Sequence, residues 1–488
     1  MNTTTLHHST GKAHATHEAP VMFVDPRQFK HNSGVAVDDT HLRQSFRSAM
    51  DFLQAKRAAH FGDTAAFEAL RAVGENIRQY SLSRLPDLLE QLEARLTERG
   101  VHVHWASTPE EANAIFLQIA QRHGANGMIK GKSMVSEEIE LNHRMAEHGI
   151  DCLESDMGEY IVQLAGERPS HIIMPAIHKT KEQIAQLFAQ KVPNTAYTDD
   201  VDELIAIGRR VLRNQFRDAK IGVSGVNFMV AETGTLVLVE NEGNGRMCTT
   251  APDVHIAITG IEKVVETFEH VLPLFSLLTR SATGQAVTTY FNAISGPRRP
   301  GELDGPQEMH LVLLDNGRSQ AYQDEDFRPT LQCIRCGACM NHCPVYARIG
   351  GLAYGTTYPG PIGSIISPHL LGLESTQDLP TASSLCGACS EVCPVGIPIP
   401  DLLRQLRSAA KHKAVTGRAA LNGQGAARTA FEVFTWKAWA WVHAHPRLYR
   451  LSMAVARHLR FLAPTKQAGW TQHRTPLRLN KRGLRDRL

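Results

Sequence analysis

Seven of the chain's nine cysteines fall in two short runs. The first reads Cys333-Ile-Arg-Cys336-Gly-Ala-Cys339-Met-Asn-His-Cys343-Pro344, and the second Cys386-Gly-Ala-Cys389-Ser-Glu-Val-Cys393-Pro394. The first is a C-x2-C-x2-C-x3-C-P run, whose tight arc lets one stretch of chain hold three corners of an iron–sulfur cube while its fourth cysteine serves a second cluster. Zinc is the competing reading, but zinc sites usually pair two cysteine or cysteine/histidine dyads, and neither run has that form. Single-electron transfer is the chemistry these residues predict.

Crossing the ligands between the runs gives a definite assignment. The first cluster takes Cys333, Cys336, Cys339 and Cys393; the second takes Cys343, Cys386 and Cys389. The second is one thiolate short, because Ser383 stands where a full repeat would have cysteine. Two [4Fe-4S] clusters are expected, the second also able to occur as [3Fe-4S]. Its fourth corner can be empty, filled by a non-cysteine or exogenous ligand, or filled by Ser383. Soft irons prefer thiolate, so serine ranks last of the three. Cys152 reads as a buried strand residue. Cys248, near Arg246, reads as facing a pocket without being a nucleophile.

Four further stretches are polar and glycine-rich beside expected strand ends: Lys130-Gly-Lys132-Ser133, Glu154 to Glu159, Ala231-Glu232-Thr-Gly-Thr235 and Glu240-Asn-Glu242-Gly-Asn-Gly-Arg246. In open α/β sheets ligands bind at the carboxyl ends of strands. Lys130, Lys132 and Arg246 are candidates to grip a small anionic substrate, helped by backbone N–H groups at the Ser133 helix start. Glu232, Glu240 and Glu242 are candidate acids or bases. Turn and capping chemistry accounts equally for each stretch taken singly. Neither a phosphate-binding P-loop nor a GxGxxG dinucleotide motif occurs.

The elements that must position these residues alternate helix and strand from about residue 85. Pro86 opens a helix with Leu88, Leu89, Leu92 and Leu96 on one face, closed by Gly100. Strands are expected at 101–105, 128–130, 150–153, 171–175, 221–223, 234–239, 254–259 and 309–314, and helices start at Ser107 and Ser133 and span 181–188 and 262–278. Repeated βα units predict a largely parallel sheet covered by helices. A helical arm, Leu42 to His60, precedes it. A cysteine-rich helical module follows, with the glycine- and proline-rich stretch 350–363 wrapping its clusters and a helix from Leu402 to Lys413.

The boundaries read as a disordered tail at 1–38, an α/β domain with its arm at 39–318, a cluster module at 319–415 and a basic helical region at 416–488. Four tail histidines, His7, His8, His14 and His17, read as solvated. The chain lacks an apolar run of about 18 residues, so a membrane-crossing helix is not expected. Clustered thiolates without an export signal point to a reducing cytoplasm. The net charge of +3 hides a polarity: residues 401–488 carry 18 Lys/Arg against three acids. That excess suits an anionic membrane surface or an acidic partner better than nucleic acid. Phe434, Trp436 and Trp439 share parts of a helical face, read first as packing on the chain's own domain and second as a membrane or partner helix.

Three segments together carry a resemblance. Gly225-Val-Asn-Phe-Met-Val-Ala-Glu-Thr-Gly-Thr-Leu, Glu240-Asn-Glu-Gly-Asn-Gly-Arg and Thr-Ala-Pro-Asp-Val-His255 are similar to the lactate-utilization (LUD) domain. Joined to the two cysteine runs, they resemble the lactate utilization protein B family from about residue 40 to the basic tail. The resemblance implies an α/β LUD fold similar to the sugar-isomerase/CoA-transferase superfamily, with a ferredoxin-type module and a helical C-terminal tail. It implies an electron-transfer subunit of a complex oxidising L-lactate to pyruvate. Its partners would be a cysteine-rich-domain subunit and a small LUD-domain subunit; the basic, Trp-bearing tail separately suggests a peripheral membrane position or a quinone-linked acceptor. Seven motif cysteines also fit that family. A transferase or isomerase acting on a small anion, with structural clusters, is the alternative.

Overall fold

β-Branched runs too short for helices assemble into two sheets, seen in a computed structural model that describes residues 25–411, 430–459 and 461. The strands are β1 (Val101–Ala106), β2 (Gly127–Lys130), β3 (Asp151–Glu154), β4 (Ile221–Gly225), β5 (Phe228–Val230), β6 (Thr235–Glu240), β7 (Val254–Gly260), β8 (Val264–Val265), β9 (Tyr290–Ile294) and β10 (Glu308–Leu314). The larger sheet runs β1-β10-β7-β4-β2-β3 with every pairing parallel. β4 and β7 are buried along their whole length, as near-continuous apolar strands of a two-sided parallel sheet should be. The helix Leu85–Glu98 starts with Pro86 in its first turn and buries Leu85, Leu88, Leu89, Leu92 and Leu96 in the core that includes Val101 and Leu311. Gly222 in β4 lets the helix Asn244–Thr250 close onto the sheet: a Cβ there would sit 1.9 Å from the Cys248 carbonyl oxygen.

A second sheet, ordered β8-β5-β6-β9 and mainly antiparallel, was not legible in the sequence. It shares a core with the helical arm Thr40–His60, the helix Phe268–Thr283 and the cysteine module. The arm and the helix before it, Phe29–Asp38, therefore pack on the cysteine module: Phe46 meets Tyr346 edge-on at 5.6 Å, and Phe29 meets Tyr354 at 5.4 Å.

Several expectations are corrected. Residues 29–38, assigned to a disordered tail, form the helix Phe29–Asp38, which buries Phe29 and Ala36; the tail histidines lie outside the described residues. His171 to Pro175 is bends and turn, because Ile172 buries against the cysteines instead of pairing in a sheet. The single helix expected over 262–278 is a 3-10 turn, Ile261–Lys263, then β8, then the helix Phe268–Thr283, because Val264 and Val265 pair with β5. The helix expected from Leu402 to Lys413 is Ile399–Ala409. The aromatic segment is helical, Ala430–Ala444, and is followed by Pro446–His458. Neither helix buries a residue, and Trp436, Trp439 and Trp441 are more than half exposed, so among the described residues the helix does not pack into the chain's own core. No helix among the described residues is long and apolar enough to cross a membrane.

A buried ion network joins the two halves. Arg318 makes a two-pronged contact with Glu138, 2.8 Å on each prong, and reaches Glu262 at 2.7 Å. Tyr358 of the cysteine module donates to Glu138 at 3.0 Å, and Arg335 to Glu262 at 3.3 Å. Burial alone would raise Glu262, but Arg318 and Arg335 hold it at about 2. Its depressed pKa contributes stability at pH values above the ordinary carboxylate range and loses it as pH falls toward 2. Arg318→Met removes the main counter-charge of both buried carboxylates, leaving Glu138 to neutral donors and Glu262 to Arg335, so urea unfolding should show a loss of about 3–5 kcal/mol near neutral pH. An unchanged midpoint would show that the network carries no net stability.

Candidate functional site

The two cysteine runs repeat one backbone conformation. Arg335 and Leu385, each just before a cysteine, take φ of 61° and 56°; Gly337 and Gly387, each just after it, take 77° and 89°. Left-handed residues on both sides turn the thiols inward, and glycine meets that demand without a Cβ penalty. Short helices follow at Ala338–Asn341 and Ala388–Glu391. The repeat aligns Ser383 with Cys333. Cys333 Sγ accepts the Arg335 N–H at 3.3 Å, and Ser383 Oγ accepts the Leu385 N–H at 3.0 Å.

Cys333, Cys336, Cys339 and Cys393 wall one cavity, closed otherwise by apolar side chains such as Ile172, Ile362 and Ile397. All four are buried, and they come from both runs. Burial raises Cys389 to about 12, with Cys343 and Cys386 the next contributors; Cys343 is raised by burial and then by Cys386. The three thiols are thus near enough to feel one another's charge. Cys386 is exposed, so this group lies nearer solvent. Cys336 and Cys339 are likewise pushed up by burial, and Cys393 to about 11. Such thiols stay protonated at neutral pH unless a metal takes the proton's place, which fits ligand sites for soft metal. Backbone N–H groups stand ready for the charged sulfurs: Ile397 donates to Cys393 at 3.4 Å.

The arm and the helix that follows it, Thr64–Ser83, fix both arcs through their carbonyls. Arg71 donates to Cys393 O at 2.9 Å and Ser390 O at 3.1 Å, Gln54 to Asn341 O at 2.6 Å and Arg57 to Val392 O at 3.3 Å. Buried Arg78 donates to Gln332 O, Leu331 O and Val264 O, setting the approach to Cys333.

Three of the four polar stretches converge on a second cavity of about 470 Å³. It opens at the carboxyl ends of β2, β4 and β7, through Gly131, Gly225 and Ile258. Lys132, Asp156, Glu240 and Glu242 line it. Glu242, an exposed residue at the cavity, accepts the Met157 N–H at 3.1 Å, and partial desolvation of its carboxylate beside Asp156 pushes it up to about 7. Glu240 is engaged in capping, accepting the Gly245 and Arg246 N–H groups at 2.6 and 2.7 Å.

The other candidates lie elsewhere. Lys130 is fully buried behind the cavity, ion-paired with Glu137 at 2.8 Å and Glu154 at 2.7 Å, which hold it charged against the cost of burial. Arg246 is exposed and stacks over Tyr290 at 4.6 Å. Glu232 is exposed in the turn between β5 and β6, at the opposite end of those strands, where Gly234 lies against Arg95. Cys152 is buried in β3 as expected; Cys248 is buried beside Ser155 at 3.4 Å, outside the cavity, with burial raising it to about 12. Sequence reading missed Lys263 and Arg335 in the cavity wall. Arg335 was visible inside the first cysteine run; Lys263 was hidden by the helix expected there.

Family models match along the chain: the LUD domain over residues 89–314, a 4Fe-4S dicluster domain over 330–397 and the C-terminal region of lactate utilisation protein B over 405–488. An uncharacterized electron transport protein of Escherichia coli is 42% identical over 430 residues, 88% of each chain. Lactate utilization protein B of Bacillus licheniformis is 40% identical over 477 residues, 95% of this chain and 97% of that one. Among solved structures, a DUF162 family protein of Deinococcus radiodurans is 16% identical, with a TM-score of 0.28, covering 47% of this chain and 98% of its own. With the LUD domain, both cysteine runs and the C-terminal region all matched in one order, the chain belongs to the lactate utilization protein B family.

Proposed function

We propose that this chain is the iron–sulfur electron-transfer subunit of a complex that oxidises L-lactate to pyruvate. It would act with a cysteine-rich-domain subunit and a small LUD-domain subunit. The observation that carries this reading is the cavity walled by four buried thiols drawn from both runs. Bound there and at Cys343, Cys386 and Cys389, two iron–sulfur clusters would supply one-electron steps for a reaction that releases two electrons. The chain's own residues fix the sulfurs, exclude water from the first site with apolar walls, and leave the second near solvent, where a partner can reach it. Deleting the gene in a host without another lactate oxidase should abolish growth on L-lactate, and the tagged chain should co-purify with the two partners. Unimpaired growth would refute the proposal.

The exposed aromatic helices and the basic balance after residue 400 support a peripheral position on an anionic membrane surface of the cytoplasmic side. A chain ending at Gly417 should keep its iron and lose sedimentation with anionic vesicles; equal binding by the shortened chain would reject this. The alternative, transferase or isomerase chemistry in the α/β cavity with structural clusters, retains Glu242, which lines the cavity, as its candidate base. A folded Cys336→Ser variant that loses all turnover would count against it.

A further inference from the structure

We propose that the α/β cavity binds a short 2-hydroxy or 2-oxo carboxylate, its carboxylate held by Lys263, Arg335 and Lys132 against the wall shared with the first cysteine site. This deepens the electron-transfer reading and rests on it. Arg335 and Ile172 line both cavities, so an occupant of the larger one lies one residue from the thiols of the smaller.

The charges in the cavity are not balanced at that wall. Lys56, Lys132, Lys263 and Arg335 line it, with Asp156, Glu240 and Glu242 as the lining carboxylates. Glu240 is already spent on two amides. Asp156 and Glu242 sit together on the loops after β3 and β6. Lys263 is 5% exposed and makes no ion pair within 4.0 Å among the described residues; its hydrogen bond goes to the Cys333 carbonyl at 3.4 Å. Arg335 stacks over Tyr358 at 4.5 Å and has one contact to Glu262, a carboxylate that Arg318 already holds at 2.7 Å. The Arg335 Nη1 group is buried without a partner.

An orphaned, buried guanidinium nitrogen is costly unless an acceptor completes it. A planar carboxylate matches the guanidinium fork. Asn227, Ser133 and Ser224 add neutral hydrogen-bonding groups, and Glu242 gives the ligand's hydroxyl or carbonyl end a partner able to hold or accept a proton near neutral pH.

The rival is that Lys263 and Arg335 merely neutralise the cluster's thiolates. Titration calorimetry on the reconstituted full-length protein, with pyruvate and inorganic phosphate as probes, separates the two. Pyruvate should bind, phosphate more weakly, and pyruvate should alter the EPR spectrum of the reduced first cluster. Lys263→Met should weaken pyruvate about tenfold or more with iron per chain unchanged. Lys132→Met, which touches no cysteine, should weaken it in the same direction. Iron-loaded protein that ignores pyruvate overturns this inference and leaves the electron-transfer reading standing. So does a Lys263→Met variant whose cluster potential moves while pyruvate affinity does not, or a preference for phosphate. A chain that cannot be loaded with iron overturns both.

Discussion

Cys393→Ala, in the second cysteine run, should destroy the first cluster. The cavity it lines with Cys333, Cys336 and Cys339 has apolar walls, so losing one thiolate leaves an iron with neither a soft ligand nor water to replace it. Iron per chain should fall by about half after anaerobic reconstitution. The surviving EPR spectrum should match that of Cys333→Ala. Cys343→Ala, although it alters the first run, should instead spare the first cluster and match Cys389→Ala. Spectra that group by run rather than across runs would show that each run holds its own cluster.

Ser383→Cys should have the second-largest effect. Ser383 Oγ and Cys333 Sγ accept corresponding amides, at 3.0 and 3.3 Å, within matched left-handed turns. Arg407 further fixes the serine segment by donating to Ser383 O at 2.7 Å. A thiol placed there meets the same backbone that presents Cys333, so it should complete a fourth soft corner. In the wild type a second cluster would have three thiolates, of which Cys386 is exposed, so aerobic purification should give a three-iron EPR signal. Ser383→Cys should suppress that signal and raise the iron that survives air. Ser383→Ala should lower it only if the hydroxyl is itself a ligand. A Ser383→Cys protein as air-sensitive as the wild type would show that the corner is completed elsewhere.

The dicluster module was legible because its signal is local: the spacing of the cysteines sets the arc. The parallel strands were legible for a related reason. Runs such as Val254–Gly260, buried on both faces, have little choice of structure. Long-range pairing defeated the reading elsewhere. Val264 and Val265 fit a helical period, yet β5 claims them as a strand. Ile172 and Ile173 have strand-forming side chains, but Ile172 lines both cavities, and the hydrogen bonds of Ile173 and Met174 go to the His171 ring. The polar stretches show the same limit. Lys130 precedes the cavity by one residue, and the alternation of the strand turns it behind the sheet to Glu154. Glu232 sits beside a strand end, but the wrong one. Lys263 and Arg335 belong together only because the cysteine module folds back on the sheet.

The most direct test of the electron-transfer role is to mix the anaerobically assembled three-protein system with L-lactate, freeze-quench it and follow pyruvate and cluster EPR together. The expected result is reduced-cluster signal appearing within the turnover time, with pyruvate, and loss of both when Cys339→Ala replaces the wild-type chain. Pyruvate formed at an undiminished rate while the clusters stay oxidised, or made equally well by the Cys339→Ala system, would contradict it.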